Sequence, residues 1–217
     1  VEPDPTDKRV RAVRLTAAGR AERDVLDQRS DELALSLLAP LSDPQRARLV
    51  EAMRTVERLL TAGLVEVAIE DPTSPDARFC LGSYFKELDA RFDTGFDPSH
   101  GSFLGADEMT PPVGLLLVAR LHGEPVGCGA LRFPRPATAE IKRMWVAPTA
   151  RGLGLGRRLL GELEQHARRH GARVVRLDTN KALREAISLY HSAGYTEVEP
   201  FNDDPYPDHW FEKRLDA

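Results

Sequence analysis

Between Arg151 and Arg158 the chain reads RGLGLGRR, with glycine at positions 152, 154 and 156. Glycine at every second position leaves backbone amides unscreened by side chains and permits dihedrals that other residues avoid. From Leu155 onward apolar residues fall at Leu155, Leu159, Leu160, Leu163 and Ala167, the spacing of one helical face, and Gly171 closes the run. The turn therefore delivers bare amides at a helix N-terminus, where unpaired N–H groups and the positive end of the helix favour an anion. Arg151, Arg157 and Arg158 add full charges, so phosphate or pyrophosphate is the natural ligand.

Spacing separates the patterns that bind phosphate this way. A Walker loop needs Gly-Lys-Ser/Thr, but Arg157 and Arg158 follow Gly156. A dinucleotide fingerprint starting at Gly152 needs a third glycine where Arg157 stands. Asp178 imitates the ribose-binding acid of that fingerprint, yet four residues separate Val146 from Arg151, where the fingerprint follows its strand directly. The pattern that fits is RxxGxG, carried by Arg151, Gly154 and Gly156.

With the strand MWV before it, the strand VVRLDTN after it, and the helix LREAISLYHSAGY beyond, this motif resembles the GNAT (Gcn5-related) N-acetyltransferase superfamily. The resemblance extends over roughly Leu64 to Leu215, and its specific motifs lie between Ala139 and Tyr195. It implies an α/β fold with a mixed, mostly antiparallel sheet flanked by helices and a splayed strand pair. It implies acetyl-CoA as co-substrate and direct attack of an acceptor amine on the thioester carbonyl. Backbone groups of Met144, Trp145 and Val146 would pair with the pantetheine arm. Arg151, Gly152, Leu153, Gly154, Leu155, Gly156 and Arg157 would hold the pyrophosphate.

Three side chains carry further expectations. Glu140, eleven residues before Arg151, stands where the histone acetyltransferase branch places its catalytic base; the alternative is a strand carboxylate paired with Lys142 or Arg132. Tyr190 shares a helix face with Leu183, Ala186 and Ile187, the position of a core tyrosine. Its place in the LYxxxGY pattern instead implies a proton donor to the leaving thiolate. Asn180 would bond the pantetheine arm or cap the following helix. Asp93, Asp97, Asp107, Glu108, Asp203, Asp204 and Asp208 fall in the two segments that border the acceptor site in the family, either to attract a cationic amine or as solvated turn residues.

The elements that must position these residues follow from pattern. VEVAIED is a strand and SPDARFCLGSYFKELDARF a helix with Phe79, Leu81, Tyr84, Phe85 and Leu88 toward one side. The stretch from Asp93 to Pro112, rich in Gly, Pro and Asp, is a loop with room for a short helix. GLLLVARL and EPVGCGALRF flank His122 and Gly123 as a hairpin, the strand 139–146 ends at Pro148, and YTEVE and HWFEKRL give the last two strands.

Residues 1–63 differ in kind. Thr16 caps one helix that closes near Pro40, and Ser42 or Asp43 caps a second carrying Leu49, Met53, Val56, Leu59 and Leu60, an expected antiparallel pair. Ahead of them Lys8, Arg9, Arg11 and Arg14 mark a basic hairpin strand. Followed by LTAAGR, it resembles the wing and dimerisation helices of MarR-type winged-helix regulators, without the recognition helix that would read DNA. The domains expected are thus 1–63, a partial MarR-like segment, and 64–217, the acetyltransferase. A homodimer through the two helices is expected, with DNA bound only weakly or only by a longer form. A regulator that senses coenzyme A or an effector without turnover remains the alternative function.

Composition sets the outer bounds. The chain has 217 residues, 41% of them hydrophobic, no long uncharged apolar run and no signal-peptide pattern, so no membrane partner is expected. Two cysteines without a CxxC neighbour point to reduced thiols and a cytoplasmic setting, and a net charge of −4 gives no general drive toward nucleic acid. His166 and His170 stand one helical turn apart without a third ligand, and no metal is expected.

Overall fold

The computed structural model describes residues 15–98 and 104–215, together with the backbone of two short strands, β1 (Glu2–Pro3) and β2 (Arg11–Ala12). It divides into two compact units, Val1–Val56 and Glu57–Ala217.

In the first unit β1 pairs antiparallel with β2, while Lys8, Arg9 and Arg14 lie outside the described residues. Helix α1 (Ala17–Leu38) starts where the Thr16 hydroxyl accepts from the Gly19 amide at 3.1 Å. Helix α2 (Asp43–Gly63) carries on past the division between the units, and Gln45 Oε1 accepts from the Ser42 amide and hydroxyl ahead of it. Neither helix buries a residue: Leu33, Leu37, Met53 and Leu59 are 58–69% exposed. The expected packed antiparallel pair is therefore not formed, and the apolar faces lie open.

The second unit begins with β3 (Val65–Glu70) and α3 (Pro75–Arg91), continues through β4 (Gly114–Leu121), β5 (Glu124–Arg135) and β6 (Thr138–Val146), and then enters α4 (Leu155–Arg169). It closes with β7 (Val174–Thr179), α5 (Arg184–Ser192), β8 (Thr196–Val198) and β9 (His209–Arg214). The seven strands form one sheet in the order β3-β4-β5-β6-β7-β9-β8. All neighbours are antiparallel except β6 and β7.

Helices cover both faces, and β5 shows how. Strand alternation turns Cys128 toward α3, where Cys80 is also buried, and turns Gly127 and Gly129 toward α4. A Cβ on Gly129 would come within 2.8 Å of Leu163 and 2.9 Å of the Met144 sulfur, so only glycine lets α4 approach this closely. Leu155, Leu159, Leu160, Leu163 and Ala167 are all buried on that helix, as their spacing predicts. On α3 the inward residues are Ala77, Cys80 and Leu88, with Tyr84 half-buried, whereas Phe79, expected on the same side as Leu88, is 54% exposed.

Two features of β6 shape the site. First, it pairs with β7 only at Thr138, Ala139 and Glu140; beyond them the two strands diverge. Second, register with β5 slips so that Arg143 and Met144 both oppose Gly129, a β-bulge in which Arg143 adopts φ +57°. Bulge and divergence together leave the last half of β6 without a partner strand on its β7 side. No described helix is long and apolar enough to cross a membrane.

Candidate active site

The RGLGLG loop is built as its glycines require. Gly154 is the N-cap of α4 at φ +76°, a left-handed conformation that costs an L side chain roughly 1 kcal/mol or more. The first intrahelical bond is from the Arg158 amide to the Gly154 carbonyl, which leaves the amides of Leu155, Gly156 and Arg157 without helical acceptors. Gly152, Gly154, Leu155, Gly156 and Arg157 line a cavity of about 560 Å³ that opens between α3 and α5. Met144, Trp145 and Val146 from the unpaired end of β6 line the same cavity, so loop and strand are brought together. Leu153 instead packs against the hydrophobic core, and Arg158 turns away to Glu162 and the Val65 carbonyl.

Charges in this cavity are organised by a residue that sequence reasoning passed over. Glu87 of α3 accepts from Arg151 at 2.6 and 2.7 Å, from the Trp145 indole N–H at 3.0 Å and from Arg91 at 3.2 Å. Arg91 also donates to Glu185 at 2.8 Å and to the Ala182 carbonyl at 2.6 Å, which ties α3 to the start of α5. In the sequence Glu87 and Arg91 are an i, i+4 pair on a helix surface, and nothing distinguishes them from a solvated pair.

A second cavity, of about 110 Å³, lies beside the first. The two share Tyr84 and Leu88 of α3, Met144 of the bulge, and Leu183, Ala186 and Tyr190. Tyr190 is buried and lines both cavities. Burial is the main cause that pushes its phenol well above the ordinary value, so it stays protonated. Asn180 borders the smaller cavity, donates to the Tyr206 carbonyl at 2.7 Å and accepts from the Ala182 amide at 2.9 Å. It thus holds the turn ahead of α5.

Glu140 is not brought to either cavity. It sits across from Arg132 on β5, and its carboxylate takes that guanidinium at 2.7 and 2.8 Å while Arg132 also reaches Glu108. Glu140 is buried, so the carboxylate is held by a partner rather than offered to a substrate. Of the acidic residues expected to border the acceptor, Asp204 lines the smaller cavity. Glu108 is engaged with Arg132 and the Gly105 amide, and Asp208 with the Lys181 amide. His170 bonds the His166 carbonyl and stacks on Phe133. Among the described residues no group of three or more His, Cys, Asp or Glu is placed to hold a metal.

Residues 82–195, which contain the loop, the splayed strands and Tyr190, match the acetyltransferase (GNAT) family. The chain belongs to that family. GNAT acetyltransferases draw their acyl group from acetyl-CoA, and the domain is of the acyltransferase class. The chain is 41% identical over 99 residues to an N-acetyltransferase of Schizosaccharomyces pombe, covering 45% of this chain and 61% of that relative's length. It is 34% identical over 142 residues to the N-alpha-acetyltransferase RimI of Mycobacterium tuberculosis, covering 64% of this chain and 84% of RimI. Among solved structures, yncA of Salmonella typhimurium, determined with its cofactor acetyl-CoA, shares the fold at a TM-score of 0.52 and 20% identity, over 71% of this chain and 95% of that one.

Within the GNAT frame the smaller cavity is lined by charged residues in roles that their spacing does not give. Lys142 and Asp178 pair at 2.5 Å, and Asn202 donates to the same Asp178 carboxylate at 2.7 Å. Arg143 is buried, with its guanidinium 4.5 Å from the Phe85 ring centre. These contacts join β6, β7 and the segment after β8, a convergence that spacing along the chain does not reveal.

Proposed function

We propose that the second unit transfers acetyl from acetyl-CoA to a primary amine by direct attack in a ternary complex. The observation that carries this reading is the shared wall of the two cavities: one contains the phosphate loop and the free end of β6, the other has room for an acceptor, and Tyr190 and Met144 belong to both.

In this scheme the pyrophosphate lies on the amides from Leu155 to Arg157, with Arg151 and Arg157 nearby, and the pantetheine arm pairs with backbone of Met144 to Val146 as an added strand. The thioester carbonyl then stands at the bulge, where a backbone N–H stabilises the oxyanion. The ammonium of the acceptor loses one proton to solvent, its nitrogen bonds to the carbonyl carbon, and the C–S bond breaks. Tyr190 protonates the departing thiolate and is restored by the second proton of the attacking nitrogen. Fixed geometry supplies much of the rate, because both reactants are held at one wall.

Thiol release from acetyl-CoA across a panel of amines, amino acids and peptides tests the reading. Turnover with any of them supports it. Binding of acetyl-CoA without turnover on every acceptor would turn the assignment toward a coenzyme A sensor.

Helices α1 and α2 we assign to homodimer formation. Two helices of 22 and 21 residues that bury no side chain are poorly stabilised alone, and a second copy is self-complementary to their apolar faces. Light scattering at micromolar concentration tests this, and a monomer refutes it. Binding of DNA by these residues is expected to be weak and salt-sensitive.

A further inference from the structure

Among the described residues six border both cavities: Leu88, Met144, Leu183 and Ala186, whose side chains hold no oxygen, and Tyr84 and Tyr190, which each bring a hydroxyl. In the proposed reaction Tyr190 serves the sulfur, and Tyr84 has no part in that transfer. Tyr84 comes from α3 and Tyr190 from α5, so the two phenols reach the shared wall from different helices, within Coulombic range of each other. Tyr84 stands at the bulge of β6, with its ring centre 5.8 Å from the guanidinium carbon of Arg143 and 5.5 Å from the ring of Phe85. Cys128, whose thiol donates to the Arg143 carbonyl at 3.3 Å, also lies within Coulombic range of the Tyr84 phenol. Burial is the main cause that holds this phenol above its ordinary value, so the group is present as O–H, and a hydroxyl oxygen still has lone pairs with which to accept.

A neutral primary amine brings a lone pair and two N–H bonds to the thioester. Once the C–N bond has formed, the nitrogen keeps one N–H in the amide and gives up the other, the proton that restores Tyr190. The retained N–H points away from the carbonyl carbon, and holding it keeps the lone pair aimed during the attack. Of the side chains on the shared wall, Tyr84 is the one with an oxygen that is not engaged in the transfer to sulfur.

We propose that the Tyr84 hydroxyl oxygen accepts this retained N–H and so aims the attacking nitrogen, which makes Tyr84 a second catalytic residue, on the acceptor side of the wall as Tyr190 is on the sulfur side. The proposal rests on the acetyltransferase reading above. The hydroxyl proton stays on Tyr84 throughout, so the proton count of the reaction is unchanged. A secondary amine has a single N–H, which is lost when the amide forms, and it has none to leave on Tyr84. The site therefore discriminates against it through a hydrogen bond that goes unmade at a desolvated phenol.

The test compares acceptors in pairs with acetyl-CoA: phenethylamine, leucinamide and the peptide Ala-Gly-Gly, each beside its N-methyl derivative. The wild type is expected to use each primary amine at least about tenfold better in kcat/KM than its N-methyl partner. Tyr84→Phe keeps the ring and removes the oxygen. It should lower kcat/KM for the primary amines by about tenfold, leave that for the N-methyl partners within about twofold, and leave acetyl-CoA affinity unchanged by titration. A packing role would lower both members of a pair alike, so the ratio within a pair reads the hydrogen bond rather than the fold. Equal use of the paired amines by the wild type, or a preference that Tyr84→Phe leaves intact, overturns the proposal. Turnover on none of these amines, with acetyl-CoA bound, would instead overturn the acetyltransferase reading.

Discussion

Both oxygens of the Glu87 carboxylate accept from Nη2 of Arg151, at 2.6 and 2.7 Å, inside the cavity lined by Gly152, Gly154 and Gly156. A protein anion thus holds the arginine of the RxxGxG pattern. Glu87→Gln removes a like charge from the anion site and frees Arg151 for the ligand. Acetyl-CoA is expected to bind about three- to tenfold more tightly, with a shallower gain at high salt. Isothermal titration at two ionic strengths measures it, and unchanged or weaker affinity would show that Glu87 serves to position Arg151 instead.

Gly154→Glu puts a carboxylate at the left-handed N-cap of α4. No atom lies within 4 Å of the added Cβ, so the cost to folding is conformational, about 1–2 kcal/mol, while coenzyme binding is lost. Gly154→Ala separates the two effects, with the same folding cost and a smaller loss of affinity. Chemical denaturation and titration on the same samples decide the matter.

Tyr190→Phe removes the proposed proton donor and leaves the ring. Turnover should fall by about tenfold or more with acetyl-CoA affinity unchanged. Loss of affinity matching the loss of turnover would make Tyr190 a packing residue only.

The same burial gives a pH dependence of stability. Tyr84, Tyr190 and Tyr195 all titrate above the ordinary value of 10, each mainly through desolvation of the phenolate. The unfolded chain releases these protons first as pH rises, so their contribution is complete below pH 10 and declines above it. Urea midpoints taken from pH 8 to 11 should fall on the alkaline side, and Tyr190→Phe should lessen the decline.

Glu140→Gln separates brace from base. Its partner Arg132 is half-buried, so the lost pair should cost about 1–3 kcal/mol of stability. Turnover per folded molecule should stay near that of the wild type. A loss concentrated on the acidic side of the pH optimum would restore Glu140 as the base.

What could be read from the sequence was whatever a local period encodes. The alternating glycines of 151–156 and the i, i+3, i+4 leucines of α4 report backbone conformation and burial directly, and both recur in the structure. Phe79 was misplaced because five apolar residues on α3 fit more than one helical stripe, and packing against Cys128 selected the stripe through Cys80. Glu87, Arg143 and Asn202 were not legible as site residues. Their meaning depends on partners 64, 58 and 24 positions away in sequence or on a bulge that shifts register between two strands. The pairing of α1 with α2 was expected and is not formed, because the helical spacing of Leu49, Met53, Val56, Leu59 and Leu60 on α2 does not say what covers that face.

Backbone pairing joins β6 to β7 at Thr138, Ala139 and Glu140, with the Lys142–Asp178 ion pair bridging the two strands beyond, and that seam divides the sheet into a four-strand and a three-strand panel. Away from it the panels are clasped from behind by buried Glu164 of α4, which holds Lys213 of β9 at 2.8 and 2.9 Å. A seam of three residue pairs with a clasp at its back is the anatomy of a hinge. Widening the angle between the panels would enlarge both cavities at once with little loss of backbone pairing, so the slowest amides to exchange hydrogen should lie within each panel rather than along the line between them.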